Sequence, residues 1–415
     1  MAITKIEVPE LFDFGSDNSA FKLPTGTTAE RPTSPSNGEM RFNTTTGYVE
    51  YYDTTDAQWW EIDYAPILPS DNFNTVLYTG DGTTSQGKTG VGFQPNFTWI
   101  KNRSSSSNNH ALFDSVRGIQ RELRSDTAGA ENDYTATNYS LKSFDIDGFT
   151  VGDVTAGNYN VNGAVGGTYS GNAEFVAWNW KAGGAAVSNT DGTITSQVSA
   201  NVEAGFSIAS YTGNGIAGST VGHGLDSTPE MVIVKSLTTT ANGSWSVYHI
   251  ATGPTKSITL ELPNTPYTDV GYWNNTSPTS IVFTLGYYAV SNQSSANYIA
   301  YAFHSVAGYS KIGSYTGNGS TTGPTIVTGF EPAFVMIKRT DSTGVWVMLD
   351  NKRNITNPRN SSLYANTSAQ EDTGSTSGFY PVNFYSNGFE PIQNTGDYNA
   401  SGGSYIFMAF AADPT

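Results

Sequence analysis

Along most of this 415-residue chain, apolar residues come in short, strand-length runs separated by Gly, Asn, Asp, Ser and Pro. Only Ser115–Arg124 offers a segment that could form a short helix, so the pattern predicts strands joined by tight turns. The runs also repeat. Tyr78-Thr79-Gly80-Asp81-Gly82 recurs as Tyr211-Thr212-Gly213-Asn214-Gly215 and as Tyr315-Thr316-Gly317-Asn318-Gly319. The Asp-Gly or Asn-Gly pair at its end calls for a turn with positive φ. A Pro-led apolar run closed by Lys101, Lys235 or Lys338 follows, 23, 24 and 23 residues after the tyrosine. Next come a strand (His110–Asp114, Trp245–His249, Trp346–Asp350), a turn into a strand (Asp147-Gly148-Phe149, Gly286-Tyr287, Asn387-Gly388-Phe389) and a closing run (Phe175–Trp180, Tyr298–Phe303, Tyr405–Phe410).

Five features in one order, three times over, define tandem modules at 71–184, 204–310 and 311–415, with 185–203 read as a Gly/Ala/Ser/Thr-rich linker. Each module is expected to be an antiparallel β-sandwich of the jelly-roll-like kind, making the chain all-β. Residues 28–70 match none of these features. Met40–Asn43 and Tyr48–Tyr52 around a Thr-Thr-Thr-Gly turn predict a small β-hairpin unit, and Trp59-Trp60 adds aromatic bulk. Residues 1–27 alternate apolar and polar positions and are read as an anchoring segment.

Composition sharpens the picture. The net charge of −16 argues against nucleic acid and anionic membranes as partners. Charged residues are only 13%, against an ordinary ~25%, and aromatics reach 13%, which suits pleated, half-buried surfaces. With no cysteine, neither disulfides nor thiolate metal sites are expected. The opening residues lack the apolar stretch of a signal peptide, and the longest apolar run, Tyr405–Ala412, is far short of a membrane span.

Gly82–Thr89 matches the P-loop pattern letter for letter, but Gly90-Val91-Gly92-Phe93-Gln94-Pro95 cannot open the helix that would hold phosphate. Asp145-Ile146-Asp147-Gly148 resembles the start of a calcium loop, yet the twelfth position is Ala156 rather than Glu, so it reads as a turn. The four histidines show no ligand spacing, and no Gly-x-Ser-x-Gly elbow is present. No catalytic residue, metal or cofactor is therefore expected. Trp99, Trp178, Trp180, Trp245 and Trp346 sit on predicted strands and are read as core. Tyr159, Tyr169, Tyr267, Tyr272, Trp273 and Tyr398 lie in loops beside Gly and Asn, a setting suited to sugar rings. Tyr159, Tyr169 and Tyr398, on the loops 150–174 and 390–404 whose length varies between modules, are the candidate glycan contacts, with help from Trp273.

The segment from Thr28-Ala29-Glu30-Arg31-Pro32 through Glu39-Met40-Arg41-Phe42-Asn43 to Tyr51-Tyr52-Asp53 and Trp59-Trp60 resembles a short motif of tail-fibre and other virion proteins of tailed bacteriophages, notably marine ones. The modules, with Phe93–Lys101, Phe113–Gly118 and Trp245–His249, resemble repeats of such proteins. The resemblance implies a non-enzymatic virion component, exposed on tail or capsid. It would be a tail fibre or receptor-binding protein contacting host polysaccharide, or alternatively a capsid-decorating or head-fibre protein. A glycan-degrading tailspike ranks below both. It further implies attachment to other virion proteins through the N-terminal segment, and a homotrimeric or multicopy state.

Overall fold

A computed structural model describes residues 23–62, 67–137, 139–152, 159–163, 173–238, 243–374 and 380–412. The expected anchoring segment falls, but for 23–27, outside the described residues. The chain divides into two compact units, 1–66 and 67–415.

In the first unit the expected hairpin pairs Met40–Asn43 with Tyr48–Asp53, and Gln58–Ile62 adds a third antiparallel strand. Too short for an apolar core, this sheet is organised around a buried carboxylate. Glu50 accepts from Arg31 Nε at 3.1 Å and Asn43 Nδ2 at 3.0 Å, with Arg41 Nε at 3.4 Å. Burial opposes ionisation, but these hydrogen bonds and the two guanidinium charges hold its carboxyl below the ordinary glutamate value. Glu50→Ala would leave Arg41 and Asn43 buried without their partner. The expected cost is about 3 kcal/mol, seen as loss of hydrogen-exchange protection confined to residues 40–62.

The second unit is all-β, its α-helices single turns of four residues. The three modules repeat one sheet order. In module one Phe73–Thr79, Glu174–Trp180, Phe97–Asn102 and Ala111–Asp114 lie side by side. Their counterparts are Phe206–Thr212, Asn297–Phe303, Met231–Ser236 and Trp245–His249 in module two, and Ser310–Thr316, Ser404–Phe410, Phe334–Arg339 and Trp346–Asp350 in module three. A smaller two- or three-stranded sheet accompanies each.

The closing strands explain the arrangement through their period of two. Val176, Trp178 and Trp180, then Ile299, Tyr301 and Phe303, then Ile406, Met408 and Phe410 all enter one common core. The intervening Phe175 and Ala177, Tyr298 and Ala300, and Tyr405 and Phe407 enter three separate cores, one inside each module. A strand buried on both faces reads as an unbroken apolar run, which is why these segments stood out. The five tryptophans expected in the core are all buried.

Contacts between modules run in one rotational sense. Trp178 Nε1 of module one donates to Asp350 of module three at 3.0 Å, and Tyr301 of module two donates to Asp114 of module one at 2.8 Å. Likewise Trp245 Nε1 donates to Arg124 O of module one, Trp346 Nε1 to Thr259 O of module two, and His110 Nε2 lies 3.0 Å from Tyr364 O of module three. Trp99 Nε1 donates to His110 Nδ1, which leaves the imidazole proton on Nε2, facing that carbonyl. One chain thus forms a pseudo-threefold ring of sandwiches around a shared centre.

Within each module the repeated tyrosine does the same work. Tyr78, Tyr211 and Tyr315 donate to Val161 O, Ser291 O and Tyr398 O. Each stacks on Phe175, Tyr298 or Tyr405 with centroids 5.0, 5.1 and 5.0 Å apart. Gly82, Gly215 and Gly319 take φ of 65°, 74° and 67°, as their turns required.

Several expectations need correction. Residues 185–203 are not a linker: Val187–Asn189 and Ser196–Asn201 are strands that extend the main sheet of module two. Ser115–Arg124 forms a turn, its start capped by Asp114 accepting from the Val116 and Arg117 amides, and Arg121–Glu122 is strand. The competing Asp114–Arg117 ion pair and the covered Leu112 carbonyl favour that turn over a helix.

Candidate functional site

The sequence candidates scatter. Trp273 is 2% exposed, edge-on to Tyr248 at 6.0 Å, and Tyr398 is fully buried with its hydroxyl on Pro381 O. Both are core side chains and present no face to a glycan. Their loops are short single-turn helices folded back onto the sandwich, so the apolar ring is drawn inward. Tyr159 opens the helix Tyr159–Asn162, its side chain outside the described residues, as is all of Tyr169. Lys88 of the P-loop-like segment lies in a strand, Ser85–Thr89, with its ammonium 4.5 Å from the centre of the Tyr78 ring. Asp147 sits in a hairpin turn and accepts from the Gly90 and Gly92 amides.

What the structure does bring together is a groove of ≈ 590 Å³ on module two, walled by Tyr267, Tyr272, Tyr287 and Tyr288. Its floor is the face of the main sheet turned away from the common core. Ser246 and Thr259 are opposed across the strands Trp245–His249 and Lys256–Thr259, and both line the groove. Their neighbours in sequence, Val247 and Ile258, point the other way into the common core.

Local chemistry sets the tyrosines. Asp269 caps the single-turn helix Val270–Trp273 by accepting from Gly271 N at 2.7 Å, and Asn274 ends it at φ 52°. Gly286 N donates to Tyr272 O and Tyr288 N to Gly271 O, zipping this helix to the Tyr287–Tyr288 segment. Two glycines permit the approach. A Cβ on Gly286 would stand 2.0 Å from Gly271 O, and one on Gly271 would stand 2.7 Å from the Tyr288 ring. The rings then meet as a cluster: Tyr267 and Tyr272 near-parallel at 6.5 Å, and Tyr272 and Tyr288 edge-on at 5.0 Å. Tyr288 donates to Asp269 at 2.7 Å, which raises the Tyr288 phenol and lowers the Asp269 carboxyl from their ordinary values. Tyr267 and Tyr287 remain 40% and 50% exposed, the latter packed at 5.0 Å against Tyr288.

A second cleft, of ≈ 360 Å³ between modules one and two, is lined by Arg117, Arg121 and Glu131. Those charges are already joined in ion pairs at 3.0 Å, which makes it a seam between modules. The cavity inside the common core, ≈ 10 Å³, is wholly apolar.

Sequence reasoning placed Tyr267 and Tyr272 among the sugar-suited aromatics but overlooked the Tyr287-Tyr288 pair. The signal was there: only module two carries adjacent tyrosines just ahead of its closing strand.

Residues 68–414 match the family described as a domain of unknown function, DUF7483. The chain belongs to that family. The match runs through all three modules and coincides with the compact unit 67–415, as a shared core requires. No curated protein and no solved structure matches the chain.

Proposed function

We propose that this protein is a virion surface component of a tailed bacteriophage, a tail fibre or receptor-binding protein that holds host-surface glycans in the groove of module two. The observation that carries the reading is the groove itself, exposed phenol rings over a floor of hydroxyls on a thrice-repeated rigid scaffold. Sugar rings have apolar faces and polar edges, and they fit such a surface. The N-terminal segment, including residues 1–27, would attach the chain, in several copies, to other virion proteins. Among the described lining residues of the groove there is no Asp or Glu. Glycoside cleavage needs a carboxylate pair at the bond, so the lining favours binding over turnover. A capsid-decorating protein would need the same attachment and display, but not a groove of this chemistry.

Replacing Tyr267 and Tyr287 together by Ala should weaken glycan binding about thirtyfold, the loss of ~2 kcal/mol of contact. Melting temperature should hold, because both rings are substantially exposed. Equal binding by the folded double variant would remove the groove from the function. Gly271→Ala, which drives a methyl against the Tyr288 ring, should cut binding severalfold by displacing that wall of the groove.

A further inference from the structure

Building on the glycan reading of the groove, we propose that its floor selects an uncharged saccharide, with Ser246 taking a hydrogen bond to a ring hydroxyl that enters edge-first between the tyrosines. Ser246 is 1% exposed, lines the groove, and its Oγ has no hydrogen-bond partner in the protein. A buried hydroxyl left unpaired costs free energy, and a ligand hydroxyl arriving at that point recovers it. The neighbouring Ser257 Oγ, also 1% exposed and on the same face of the adjoining strand, is unpaired too. Neither hydroxyl is needed to hold the sheet together, since the strands pair through their backbones.

Charge sets the class of sugar. Among the described lining residues there is no Lys or Arg. The nearest ionisable groups bonded to the lining are carboxylates: Asp269 on Tyr288, and Glu261, which accepts from Trp245 N at 3.0 Å. Lys235, beside the rim, is buried and donates to the Ser236 and Gly243 carbonyls. A uronic acid, a sialic acid or a phosphate would find no cation among the described residues of the groove wall to receive it. A neutral hexose chain meets no such cost, and a site built to hydrogen-bond a hydroxyl rejects analogues that lack it.

The test titrates the whole chain with neutral hexose trisaccharides and with the same trisaccharides carrying one uronic acid, by calorimetry. The expected result is measurable binding of a neutral trisaccharide and weaker binding of its acidic counterpart. Ser246→Ala should weaken the neutral ligand about tenfold at unchanged melting temperature. Ser246→Val, which adds methyls to the floor, should weaken it further. If Tyr287→Ala lowers binding while both Ser246 variants bind like the parent, the floor plays no part and this inference falls, though the groove remains a glycan site. Preference for the acidic trisaccharides overturns it equally. Failure of every saccharide to bind would instead strike the glycan reading on which it rests.

Discussion

Trp178→Ala should destabilise all three modules at once, by about 4 kcal/mol, although the substitution lies in the first alone. Trp178 is fully buried in the common core, edge-on to Trp99 at 6.3 Å and to Phe334 of module three at 5.6 Å. Truncation removes a large ring from a place where three sheets meet, so no single module can close the gap. It also takes away the indole donor from buried Asp350, although Arg353 and two backbone amides still hold that carboxylate. Because the core is shared, its loss is felt by every face that lines it. Native-state hydrogen exchange would show this directly. Amides of Phe97–Asn102, Met231–Ser236 and Phe334–Arg339 should all speed up by about a thousandfold. Faster exchange in module one alone, with the other two strands still protected, would mean three independent domains in a row.

The second large effect is a rise of stability on the alkaline side. Lys101, Lys235 and Lys338 are fully buried, one in each module. Lys101 Nζ donates to the carbonyls of Asn102, Asn108 and Ser368, and Lys338 Nζ to those of Arg339 and Pro263. Ser368 and Pro263 belong to the next module in the ring, so these ammonium groups tie neighbours together. Burial nevertheless lowers each to about 8, with Asp126, Glu261 and Asp397 only partly opposing it. The unfolded lysine keeps its ordinary 10.5, so between about pH 8 and 10.5 the unfolded chain binds more protons than the folded one. Stability then rises with pH across that window, by up to roughly 3 kcal/mol per lysine. Above pH 10 the buried tyrosines act in the opposite direction. Burial raises Tyr78, Tyr211 and Tyr315, so the folded state retains protons that the unfolded state has lost. Melting temperature should therefore peak at about pH 10, where the fading lysine contribution meets the growing tyrosine one. Lys101→Met should flatten the rise by about a third while lowering stability at pH 7 by about 3 kcal/mol, since three carbonyls lose their donor. A flat or falling profile from pH 8 to 9.5 in the parent chain would contradict the burial of these ammonium groups.

Much of this fold was legible because its signals are local. Strand against helix, the triple repeat and the turns at Gly82, Gly215 and Gly319 follow from side-chain period and backbone freedom alone. The shared core was not legible. Trp178, Tyr301 and Met408 announce only that their strands are buried on both faces, and nothing in their spacing says that the second face belongs to a neighbouring module. The same limit applies to the loop aromatics. Trp273 and Tyr398 stand among Gly and Asn as exposed loop aromatics do, yet each lies in a single-turn helix that tucks its ring into the sandwich. Tyr287 and Tyr288 become walls of a groove only because Gly271 and Gly286 let two distant segments touch, a long-range contact that no local pattern encodes. Residues 185–203 misled for a related reason. Their Ser, Thr and Ala content suits a linker, but an unpaired edge of module two recruits them as strands.

The proposed function is tested most directly by presenting the purified chain to immobilised bacterial surface polysaccharides, beside the Tyr267→Ala/Tyr287→Ala variant of matched melting temperature. A groove that receives host glycans requires the parent chain to be retained and the variant to be lost by about thirtyfold. Retention of both alike, or of neither across a broad set of polysaccharides, would contradict it.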